Sequence, residues 1–98
     1  MVKRFMVYEV QVDDTPKACV VVSPDELNNI LPYVMIAPVT SKIRPLPYRV
    51  MIEMKGKDAQ IALDQIRTRP KSDFIRKLGR LPEPCQAEII NVLQQMFE

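Results

Sequence analysis

Seven polar residues at the ends of predicted strands carry the chemistry this chain has to offer: Lys17, Thr40, Ser41, Lys42, Asp64, Gln65 and Arg67. They border a cationic block. Residues 41–80 hold 11 Lys and Arg against 4 Asp and Glu, whereas residues 1–40 hold 3 against 5 and residues 81–98 none against 3. Arg44 and Arg69 belong to the same block. Clustered cations that gather on one face of a small fold attract a polyanion, and these polar groups at the strand ends stand next to them. Each residue also has a purely structural reading: Thr40-Ser41 as a turn hydrogen bond, Asp64 as a cap, Lys17 as a solvated charge. The constellation is more informative than its members.

Composition removes most other chemistry. Without a single histidine there is no imidazole-activated nucleophile, no histidine acid–base pair and no zinc site needing a nitrogen ligand. Two cysteines, Cys19 and Cys85, make neither a four-thiolate site nor a disulfide framework, and Cys19 among valines reads as a reduced core side chain. Gly56 and Gly79 are the only glycines, which excludes a glycine-rich phosphate loop. No cofactor and no metal are expected. At 98 residues, 47% hydrophobic and 27% charged, the chain fits one domain, residues 1–98, whose small core makes a second copy a natural source of stability. No apolar run approaches the ~18 residues of a membrane span and the start lacks a secretory signal, so a cytoplasmic protein without membrane contact is expected.

These residues need elements to position them. Phe5 to Val12 alternates and is rich in β-branched and aromatic residues, and the valine run from Ala18 to Val22 reads as a strand buried on both faces. Asp13 to Pro16 joins the two as a hairpin. Ser23-Pro24-Asp25-Glu26 has the residues of a capping box opening a turn or two of helix, with Ser23 as cap and Asn28-Asn29 and Pro32 interrupting it. Tyr33 to Thr40 makes a third strand, with Pro38 at an edge or bulge. Residues 41–48 form a proline-restricted loop, and 49–54 and 59–63 two further strands joined near Gly56. Past Pro70 the pattern predicts a short helix from Ser72 or Asp73 to Gly79, then a longer one over roughly 84–97 with Ala87, Ile90, Leu93 and Phe97 on its apolar stripe, widened by Ile89 and Met96. The expected fold is mainly β with helices (α+β), a small curved five-stranded barrel closed by a short helix and a C-terminal helix.

Four segments, in order, resemble the MazF/PemK/Kid family of bacterial toxins: Val20-Val21-Val22-Ser23-Pro24 followed by Asn28; Ala37-Pro38-Val39-Thr40-Ser41; Leu63-Asp64-Gln65-Ile66-Arg67-Thr68; and Leu78-Gly79-Arg80-Leu81. The likeness covers residues 17–98 well and residues 4–12 loosely. It implies an SH3-like barrel of the MazF and CcdB kind, usually a homodimer. It also implies a metal-independent endoribonuclease that cuts single-stranded mRNA at short sequences and is silenced by a cognate antitoxin protein. By the same resemblance, Thr40 contacts the scissile phosphate, Asp64 serves as general base, and Lys17 stands where the family has the phosphate-contacting arginine of an Arg-Pro pair. Ser41, Lys42, Arg44, Gln65, Arg67 and Arg69 complete the expected RNA-binding set. RNA supplies its own nucleophile, the 2′-hydroxyl, so the absence of histidine and metal ligands is compatible with this chemistry. An aspartate acting as base near neutral pH needs a moderately raised pKa.

The chain also departs from the family. Lysine at position 17 keeps the charge without the bidentate fork, a second family arginine corresponds to Ala62, and the first hairpin loop is reduced to about Asp13 to Pro16. Arg67 is the arginine nominated to replace the missing guanidinium. Two other readings share the fold. One is a CcdB-like inhibitor of DNA gyrase, against which the absence of tryptophan counts. The other is a barrel that binds nucleic acid without cutting it, for which Tyr48 is the only nominated stacking aromatic.

Overall fold

The computed structural model describes residues 2–98. Seven strands and two helices follow in the order β1 (Met6–Val12), β2 (Thr15–Val21), α1 (Asp25–Ile30), β3 (Tyr33–Thr40), β4 (Arg49–Met54), β5 (Lys57–Ala62), β6 (Arg67–Pro70), β7 (Phe74–Arg80) and α2 (Glu83–Met96). The strands build one antiparallel sheet in the order β4-β5-β3-β2-β1-β7, with β6 attached to β3. The expected curved β architecture with helices stands, with two strands more than the five expected.

Both hairpins have two-residue turns. Asp13-Asp14 closes β1 on β2 and Lys55-Gly56 closes β4 on β5. Lys55 (φ 53°) and Gly56 (φ 77°) both take the left-handed conformation that matches the twist of a two-residue hairpin. Strand β3 is central, and on one side it changes neighbour. Tyr33 to Ile36 pair with β6, and Val39 and Thr40 pair with β5. Pro38, which has no N–H to donate, falls at this change rather than at a sheet edge.

Period-two alternation divides the apolar residues between two cores, one on each face of the sheet. Val7, Val20, Val22, Ala37, Val50, Ile61 and Leu63 lie in the first, beneath α2. Tyr8, Val10, Val12, Cys19, Val21, Val34 and Ile36 lie in the second. The valine run of β2 therefore feeds both, as its uninterrupted apolar pattern required. Helix α2 is buried through Ile89, with Cys85, Val92, Leu93 and Met96 packed partly against the first core. The predicted stripe is thus rotated: Ile90 is exposed and Phe97, just past the helix end, is 78% exposed.

The short helix expected from Ser72 or Asp73 to Gly79 is strand β7, entered through a single 3₁₀ turn at Lys71–Asp73. It covers the free edge of β1, from Val10↔Phe74 to Met6↔Arg80, with two register shifts. Those shifts break the strand's alternation and leave Phe74 and Leu78, four apart, partly buried. That spacing imitates a helical face, and ladder pairing with β1 overrides it. Ser23 is not the cap of α1 either: Pro24 occupies that position without a side-chain bond. The Ser23 hydroxyl instead bonds the Asn28 side chain and accepts the Met35 N–H at 3.1 Å, while Asn28 donates back to the Ser23 carbonyl at 2.9 Å. Asn28 is buried, so the residue expected to interrupt the helix ties it to Ser23, which in turn holds Met35 of β3.

Candidate nucleic-acid interface

An open cleft of about 400 Å³ lies over the second core where β3 changes neighbour, with Val12, Cys19 and Ile36 among its lining. Around it stand Lys17 from β2, Thr40, Ser41, Lys42 and Arg44 from the end of β3 and the loop beyond, Arg49 from β4, Gln65 from the turn before β6, and Arg67 at the start of β6. Five cations and no carboxylate line this space. Such a wall focuses a positive potential into a concave, partly apolar surface. Seven of the nine site residues nominated from sequence are brought together here: Lys17, Thr40, Ser41, Lys42, Arg44, Gln65 and Arg67.

The other two lie outside the lining. Arg69 is spent on the scaffold, with an ion pair to Asp73 at 3.0 Å and a hydrogen bond to the Gln11 carbonyl at 3.2 Å. Asp64 sits in the 3₁₀ turn Leu63–Gln65 and is gripped side-on by Arg49, whose Nε donates to Oδ1 at 2.6 Å and Nη2 to Oδ2 at 3.2 Å. The hydrogen bond from Arg49 holds the Asp64 carboxyl below the usual carboxylate range, against a smaller opposing effect of desolvation. That shift is opposite in direction to the one a general base near neutral pH requires.

The Thr40 hydroxyl accepts the Lys42 N–H at 3.1 Å, the local turn bond foreseen for it, and keeps its own hydrogen for donation into the cleft. Among the described residues, the Lys17, Lys42 and Arg44 side chains have no acidic partner, and Arg67 has only a loose contact with Asp13 at 3.6 Å. Burial pushes the Cys19 thiol up to about 11, so it remains protonated and inert near neutrality. Tyr48, nominated for stacking, is 40% exposed but does not line the cleft.

In the sequence Arg49 is one cation among the eleven of residues 41–80, and Gln60 carries no mark of its own. The Gln60 side chain is buried and pairs with both main-chain groups of Arg44, accepting its N–H at 3.1 Å and donating to its carbonyl at 2.9 Å. A signal for Arg49 did exist. Folding the 49–62 hairpin about Lys55-Gly56 sets Arg49 opposite Ala62, two residues before Asp64.

Residues 3–97 match the family model for the PemK-like, MazF-like toxin of type II toxin–antitoxin systems. The chain belongs to this toxin family. Its fold is shared with solved MazF structures. An endoribonuclease in complex with its cognate antitoxin from a mycobacterial species superposes with a TM-score of 0.88 at 21% identity, over 97% of this chain and 93% of that one. The Mycobacterium tuberculosis toxin MazF-mt6 gives 0.75 at 24% identity, over 91% and 96%. MazF from Deinococcus radiodurans gives 0.82 at 18% identity, over 98% and 96%. At such identities the likeness concerns the fold. No curated protein sequence matches the chain.

Proposed function

We propose that this PemK/MazF-like toxin is a metal-independent endoribonuclease acting on single-stranded mRNA. The observation that carries the reading is the cleft itself: five cations without a carboxylate, and the Thr40 and Ser41 hydroxyls at the end of a strand. Such a wall suits the phosphodiester backbone, and the apolar floor suits a base. The 2′-oxygen attacks the adjacent phosphorus as its proton passes to solvent, the bond from phosphorus to the 5′-oxygen breaks, and the departing oxygen takes a proton from the Lys17 ammonium, which water restores. The products are a 2′,3′-cyclic phosphate and a 5′-hydroxyl. Thr40 and Lys17 contact the phosphate and stabilise its added charge. Solvent is preferred to Asp64 as proton acceptor because the aspartate is engaged by Arg49 and lies outside the cleft lining.

The partners follow from the same surface. An acidic, extended segment of a cognate antitoxin would occupy the cleft in competition with RNA, as the antitoxin-bound mycobacterial endoribonuclease encourages. A homodimer would extend the cationic surface. The test is incubation with a long unstructured RNA in EDTA, with identification of the new ends. Discrete cuts bearing cyclic phosphate and 5′-hydroxyl are expected, with rates lowered about 10²-fold in Thr40→Ala and in Lys17→Met. Intact RNA across varied sequences would overturn the reading.

A further inference from the structure

Arg49 differs from the other cations of the cleft in being held rigidly. Its side chain is only 5% exposed, and its carboxylate partner, Asp64, is 31% exposed. The main chain sets the two against each other. Tyr48, immediately before Arg49, takes a left-handed conformation (φ 64°), and its carbonyl accepts the N–H of Leu63, immediately before Asp64, at 3.2 Å. A bulky aromatic residue in that conformation persists only where its surroundings enforce it. Here it turns the chain out of the basic loop so that β4 begins with Arg49 opposite Ala62.

The guanidinium has five N–H donors and two usable edges. Asp64 takes the edge formed by Nε and Nη2, and Gln60 Oε1 lies 3.5 Å from Nη1 at the limit of a hydrogen bond. The edge shared by Nη1 and Nη2 retains donors, and Arg49 lines the cleft. A fork clamped along one side offers its other edge to two phosphate oxygens with little freedom left to lose, the condition under which electrostatic stabilisation is strongest. Neither alternative cation is so constrained: Lys17 is exposed, and the 42%-exposed Arg67 leans toward Asp13.

We propose that Arg49 is the catalytic guanidinium that contacts the phosphate in the cleft, and that Asp64 is its positioning residue rather than a proton acceptor. Gln60, buried between Arg49 and the main chain of Arg44, joins this support to the basic loop. The inference rests on the ribonuclease reading and replaces its missing arginine with one from a different strand.

The test compares wild type, Arg49→Lys and Asp64→Asn on an RNA that wild type cuts at a known position. Three forms of that RNA are used: unmodified, with sulfur replacing one non-bridging oxygen at the cut, and with a 2′-deoxy nucleotide that prevents cutting. Arg49→Lys is expected to cut about 10²-fold more slowly, to bind the 2′-deoxy RNA within a few-fold of wild type, and to lose most of the rate penalty caused by sulfur. Asp64→Asn is expected to cut about 10-fold more slowly with an unchanged shape of the pH–rate profile and the same reduced sulfur penalty. Because Asp64 is the outer member of the pair, this variant carries the sulfur readout alone if Arg49→Lys does not fold. Wild-type cutting or an unchanged sulfur penalty in Arg49→Lys would overturn the role of Arg49. Loss of a pH-dependent limb in Asp64→Asn would restore the aspartate as base. A wild type that cuts no RNA would overturn the ribonuclease reading, and this one with it.

Discussion

Asp64 shows how one residue can be legible in position and illegible in role. Its place beside the cationic block was evident from sequence, but its carboxyl chemistry depends on a guanidinium 15 residues away in the chain. Arg49 was one of 11 cations in its region, and only the register of the β4–β5 hairpin distinguishes it. The pair makes a pH prediction. A carboxyl with a lowered pKa contributes stability that is complete above its unfolded value, here 3.8, and is lost as pH falls through the lower folded value. The stability difference between wild type and Asp64→Asn should therefore be constant from about pH 8 to pH 5 and close below about pH 4. With Asp64 partly exposed, the plateau should be about 1–2 kcal/mol, between the ranges for surface and buried pairs. Urea denaturation at a series of pH values measures it, and a difference that grows toward acid would contradict the pairing.

At the scale of elements, apolar patterning located five strands and the hairpin turns, because alternate burial leaves its mark on β1 and burial on both faces makes β2 an uninterrupted valine run. It failed for β7, where register shifts against β1 removed the alternation, and for the face of α2, where several apolar residues left the choice of stripe to the shape of the core. The basic loop from Ser41 to Tyr48 was legible as a loop, but its anchor was not: Gln60, in the middle of β5, acts there as a substitute strand partner for Arg44. Gln60→Leu removes both hydrogen bonds while filling a similar volume. It is expected to lower stability by about 1–3 kcal/mol and to expose the loop to proteolysis well before global unfolding. Equal cleavage rates in the loop for wild type and variant would show that the anchor is dispensable.

For the whole molecule, charge asymmetry along the sequence translated into charge asymmetry in space. Four of the eleven cations of residues 41–80, Lys42, Arg44, Arg49 and Arg67, meet Lys17 at one cleft. If three to five of them each neutralise a phosphate, binding of a non-cleavable single strand should weaken with salt at a log–log slope of about −2 to −3.5. Fluorescence anisotropy between low and moderate salt gives the slope. A value near zero would mean that the cleft does not hold the backbone. An acidic antitoxin segment seated there should show a similar dependence and displace the strand.

The change of neighbour along β3 also has a consequence in time. Because the cleft lies between what β2, the end of β3 and β6 contribute, no stretch of chain contains it, and its first and last cations, Lys17 and Arg67, are roughly fifty residues apart. During synthesis those residues take on the order of 3–10 s to appear. Throughout that interval the early hairpin can form, yet the cationic wall is open on one side until Arg67 reaches Ile36. A growing chain of this toxin thus presents no complete cationic cleft to any polyanion near it until two thirds of the sequence has been made.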